Sequence, residues 1–195
     1  MFLLSRWSGG LVTRYGSQRP LTFGSVIAAI GLALFALPEI GGSYWTTFFP
    51  AVVVLALGMA ITVAPLTTTV MGAVSERQAG IASGINNAVA RTAGLLSIAI
   101  LSIVVASAFN SNLDRRLETL ILPPGVQQLL NAQRIKLAGA EVPANLNPEL
   151  TADLRSAIAL SFVDSFRLII LIAVVLALAS ALIAFVTQER QPSAK

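Results

Sequence analysis

Residues 168–187 read Leu-Ile-Ile-Leu-Ile-Ala-Val-Val-Leu-Ala-Leu-Ala-Ser-Ala-Leu-Ile-Ala-Phe-Val-Thr, twenty positions without a charge. As a helix this stretch rises about 30 Å, the thickness of a bilayer's hydrocarbon core. Backbone amides in lipid find no water, so a spanning segment must satisfy them internally and a helix does so. Three stretches of the same kind precede it. Pro20–Leu37 is closed by Pro38, and the uncharged run Ile40–Ser75 contains a second span at Trp45–Met71. The third, Ile81–Ala108, is interrupted only by Arg91. The expected fold is an all-α membrane protein with four transmembrane helices.

Composition agrees. Of 195 residues, 55% are apolar and 11% are charged, against about 25% charged in soluble domains. Histidine and cysteine are both absent, which removes imidazole and thiolate metal sites, haem ligation, disulfides and histidine-activated nucleophiles. No cofactor, metal or enzymatic chemistry is expected. The formal charge of +4 is small and scattered, so the chain's partner is the lipid bilayer and not nucleic acid. Arg6, Arg14 and Arg19 precede the first span, Arg77 lies between the second and third, and Arg190 and Lys195 follow the fourth, whereas Pro38–Tyr44 has no Lys or Arg. Basic short flanks stay inside, so both termini are expected in the cytoplasm. Met1–Leu4 is too short for a signal sequence and reads instead like the last turn of a preceding helix.

Segment by segment, 1–19 is expected to be a helix end and cytoplasmic loop, 20–108 three spans, 109–155 an outer helical hairpin, 156–188 the last span and 189–195 a cytoplasmic tail. In the hairpin, Leu113, Leu117 and Leu120 continue the third helix and Pro123-Pro124 stop it. Val126, Leu129, Leu130 and Leu137 then predict a second short helix ending at Gly139, and Pro148 is placed to open the last helix.

The loop Gly9-Gly-Leu-Val-Thr-Arg-Tyr-Gly-Ser-Gln-Arg19 resembles the cytoplasmic signature of major facilitator superfamily transporters, through Gly9, Leu11, Arg14, Gly16 and Arg19. Thr13 stands where that signature has Asp, and Ser17 where it has Arg. Ala64–Met71 and Arg77–Gly94 are similar to stretches of drug:proton antiporters, above all the fourteen-helix branch, which also carries an extended outer hairpin before its final helix. The resemblance implies the last four helices of a proton-coupled exporter of small amphipathic compounds, a multidrug efflux protein of the bacterial plasma (inner) membrane. Its further partners would be missing N-terminal helices, a small-molecule substrate and protons. The alternatives are an autonomous four-helix module that dimerises and a non-transporting partner subunit.

Candidate site residues follow from helical spacing. In the second span Gly58, Thr62 and Thr69 share a face, and Pro65 at its edge frees a carbonyl. These four are the substrate-cavity candidates, since a bendable helix with hydroxyls on one side suits alternating access; the competing reading is hydroxyls bonded back within their own helix. Gly80, Gly84, Asn87, Arg91 and Gly94 lie on one line of the third span and are helix-interface candidates. Arg91 either sits near mid-depth or snorkels to the surface, as a gate or interfacial anchor. Gly24, Ala28 and Gly31 offer a close-packing face on the first span. Asp164 and Arg167 are spaced to pair at the outer mouth of the fourth. No span carries a carboxylate, so any proton-coupling acid would be supplied from elsewhere.

Overall fold

Apolar runs that must bond their own backbone give helices throughout. The computed structural model describes residues 18–72, 74–143 and 146–189, and among them there is no strand. Helix α1 is Gln18–Leu34, with Pro20 in its first turn, where a missing N–H costs nothing. A π-helical turn at Tyr44–Phe48 leads into α2, Phe49–Gly72. A 3-10 turn at Glu76–Gln78 precedes α3, Ala79–Leu117. The short α4, Val126–Ala132, and a 3-10 segment Arg134–Gly139 lead to α5, Pro148–Glu189.

Among the described residues three stretches are long and apolar enough to cross a bilayer: Tyr44–Thr67, Ala79–Leu117 and Pro148–Thr187. The protein is therefore an all-α membrane protein. α1 has 17 residues, about 25 Å of rise. Its end is wound tighter: Phe35, Ala36 and Leu37 each donate to the carbonyl three residues back, at 2.9, 3.0 and 3.3 Å. Those 3-10 steps carry the apolar path to about 31 Å, as far as the expected Leu37. α3 and α5, at 39 and 42 residues, rise roughly 60 Å each, twice the hydrocarbon thickness.

The described residues divide into two units, one holding 18–38, 42–72, 74–96 and 170–189, the other 39–41, 97–143 and 146–169. In the first, α1 and α2 pack antiparallel through small residues. A methyl added at Gly31 would lie 2.5 Å from the Leu55 nitrogen, and one at Gly58 2.7 Å from the Ala28 Cα. Gly24 faces Thr62 Oγ1 and the Gly58 carbonyl in the same way. The pairs 24–62, 28–58 and 31–55 keep one antiparallel register, and Ala29 and Ala51 are buried nearby. Between lipid-exposed helices such approach earns dispersion contact, the main attraction available there.

The second unit has a core of the soluble kind. Phe109, Leu113 and Leu117, one stripe of α3, meet Val126 and Leu130 of α4 and Leu154, Ala157 and Ile158 of α5. Leu120 lies past the helix end, in a turn closed onto the Leu117 carbonyl, but still packs on this core. The expected helix from Val126 to Gly139 is broken. α4 stops at Ala132, and Leu137 adopts φ 52°, a conformation no α-helix continues. Leu129 points out while Leu130 is buried. Pro148 does open α5, and Asn147 caps it, its Oδ1 accepting from the Leu150 N–H at 2.8 Å.

Candidate functional site

The signature-loop residues Gly9, Leu11, Arg14 and Gly16 lie outside the described residues. Arg19 is exposed in the first turn of α1.

Of the cavity candidates, Gly58 is buried and carries the Ala28 contact just described. Thr62 is half-buried and its hydroxyl donates to the Gly58 carbonyl at 2.8 Å. That bond satisfies the donor within the helix and holds Oγ1 against Gly24. Thr67 does the same toward the Val63 carbonyl at 3.1 Å. Pro65 is fully buried within α2 and removes the amide that would pair with the Ile61 carbonyl. Thr69 lies on α2, its side chain outside the described ones.

On α3 the five interface candidates Gly80, Gly84, Asn87, Arg91 and Gly94 are all exposed. A methyl added at any of the three glycines meets nothing within 4 Å among the described residues. Thus the described chain fills the small-residue face of α1 and leaves that of α3 open. A cleft of about 600 Å³ lies elsewhere on α3, lined by Val74, Gln78, Ile81, Ala82, Ile85 and Val89 together with Asn86. At 100° per residue its centre is on the opposite side of the helix, about 170° from the glycine stripe. Sequence reasoning missed it, although Ile81, Ile85 and Val89 recur every four residues.

The outer-mouth pair forms differently from its sequence spacing. Asp164 Oδ1 stands 4.0 Å from Arg167 Nη1, while its Oδ2 accepts from Arg116 Nη2 at 2.7 Å. Arg116, 48 positions away on α3, is the closer partner, and no local spacing could have revealed it. Behind the pair, Asn112 Nδ2 donates to Ser165 Oγ at 3.4 Å. Ser165 and Ser161 are fully buried and donate to the carbonyls of Ser161 and Ala157 at 2.6 and 2.7 Å. Asn110 Oδ1 and Arg116 Nε are buried without a hydrogen-bond partner among the described residues. Arg134 forks onto both oxygens of Asp114, tying the 3-10 segment back to α3.

Chemically, the arrangement offers hydroxyls committed to their own helices, one proline-freed carbonyl and an ion cluster at one end. No family profile matches the chain. It is similar to the "Multidrug resistance protein Stp" of two Mycobacterium tuberculosis strains, 29% identical in each over 133 residues. The match covers 66% of this chain and 24% of each relative. The chain thus spans about a quarter of the length of the curated relatives it matches.

Proposed function

We propose that this chain is part of a multidrug exporter of the major facilitator type, forming the last four spans of the fourteen-helix drug:proton branch. The observation that carries this reading is the 29% identity over 133 residues to a protein named for multidrug resistance. The Gly9–Arg19 loop pattern supports it. Because those relatives are some four times longer than the stretch they share with it, the open glycine face of α3 is read as a seat for further helices. Asn87 and Arg91 on that face would meet protein or water there instead of lipid.

Within such an exporter α1 and α2 move as a pair, since Gly24, Ala28 and Gly31 hold Gly58, Thr62 and Leu55. Pro65 supplies the bend. Of the four cavity candidates, Gly58 and Thr62 shape the α1–α2 seam, which leaves the Ile61 carbonyl and Thr69 to meet a small amphipathic substrate. Protons are exchanged at carboxylates on helices beyond this chain. The basic flanks put both termini and the Arg77 turn in the cytoplasm of a bacterial plasma membrane.

Two experiments test this. Reading the DNA ahead of Met1 should show an in-frame continuation that encodes further apolar spans; a stop codon in frame immediately upstream speaks against it. In the completed exporter, Thr69→Phe should change which compounds are exported at an unchanged protein level, as growth inhibition across a dye and antibiotic panel reads. An unchanged panel removes Thr69 from the site.

A further inference from the structure

α2 does not begin as an α-helix. Ser43 is extended at φ −69°, ψ 132°, and the next five residues, Tyr44–Phe48, wind as a π turn. The Phe49 N–H donates to the Tyr44 carbonyl, a closure over five residues instead of four. In an α-helix Tyr44 would sit about 140° round the axis from Phe49, too far to share a face. The wider turn brings them to one side with Trp45 between. Trp45 stands edge-on to Tyr44 at 5.6 Å between ring centroids and 5.3 Å from Phe49, distances at which aromatic pairs attract. All three rings face away from the chain, at 54%, 70% and 42% exposure.

A π turn is rare and its hydrogen bonds are poor; an α-helix would already pair Trp45 with Phe49 at i,i+4, and the wider turn adds Tyr44 to their side. The rings lie where a spanning apolar helix ends. Residues 40–48 carry no charge, and Glu39 is the nearest ionisable group before the turn. Thr46 Oγ1 is turned back to the Ser43 carbonyl at 3.4 Å, and the indole N–H and phenol O–H give the exposed Trp45 and Tyr44 a polar edge. An apolar ring body with a polar edge is stable between acyl chains and headgroups, and neither in water nor at mid-bilayer. We propose that the π turn gathers Tyr44, Trp45 and Phe49 into an anchor that seats at the headgroup–acyl boundary of a phospholipid bilayer and fixes the depth of α2. The anchor is independent of what, if anything, the chain transports.

Trp7 and Trp45 are the two tryptophans of the chain, so Trp7→Phe isolates Trp45. The full chain is reconstituted in phosphatidylcholine vesicles with bromine on the acyl chains, near the carbonyl end or near the methyl end, and iodide is added to the water as a third quencher. Bromine near the carbonyl end should quench Trp45 most. Strongest quenching by methyl-end bromine, or by iodide, overturns the proposal, and so does the absence of lipid quenching, which means that protein covers the rings. Subtracting the quenching of Trp45→Phe from that of the unsubstituted chain gives the same depth should Trp7→Phe fold poorly. In the Trp7→Phe background, Tyr44→Ala with Phe49→Ala should flatten the depth preference while far-ultraviolet circular dichroism stays unchanged. A preserved preference means that Trp45 acts alone and the cluster does not.

Discussion

Glycine positions 31 and 84 are both set among other small residues of apolar helices, yet their surroundings differ. A side chain at Gly31 runs into the Leu55 backbone, while one at Gly84 meets open space. Gly31→Leu should therefore cost about 1–3 kcal/mol, the usual penalty of overpacking a closed contact, seen as a lower melting temperature in detergent. Gly84→Leu should leave the melting temperature of this chain unchanged, and should weaken assembly only if further helices dock on α3. Asp164 pairs with two arginines. Both side chains are 35% exposed, so solvent screens them and neither pair is worth more than about 1 kcal/mol. Arg116→Gln, which breaks the 2.7 Å contact, should lower the melting temperature in the same experiment, by no more than this small energy allows.

The elements around the Phe109–Ile158 core of the second unit are held by burial, not by helix propensity. α4 has seven residues, too few to persist alone in water, and it stands because Val126 and Leu130 reach the core. Leu130→Ala and Leu154→Ala should each lose about 2–5 kcal/mol and open residues 118–147 to added protease, whereas Leu129→Ala, on the exposed side, should not. The continuation of α3 to Leu117 was legible in the sequence because Leu113 and Leu117 keep a four-residue beat on one face. The stop at Ala132 was not: Leu129, Leu130 and Leu137 fit a helix and a broken helix equally, and packing on α3 and α5 made the choice. The small-residue face of α1 was legible as spacing, but its partner residues on α2 could only be found by folding. Arg116 meets Asp164 across 48 positions, a contact that no local pattern encodes. For the candidate site, the cavity candidates lie on α2 and the interface candidates on α3, while the use of Gly58 and Thr62 in the α1–α2 seam became visible only with α1 in place.

For the molecule as a whole, orientation and completeness decide function. The absence of cysteine makes topology simple to measure. Single cysteines at Ser43 and Asn131, both exposed, should react with an impermeant thiol reagent added outside cells, and one at Ser75 should react only after permeabilisation; the reverse pattern inverts the topology. The most direct test of the proposed exporter is drug-dependent proton flux in liposomes, measured with a pH dye for the 195-residue chain alone and for the chain joined to the spans encoded ahead of it. Flux from the joined protein and none from the chain alone is the expected result, because the apolar runs 20–37, 45–71, 81–108 and 168–187 hold no carboxylate to exchange a proton. Flux from the chain alone, or none from the joined protein, would contradict it.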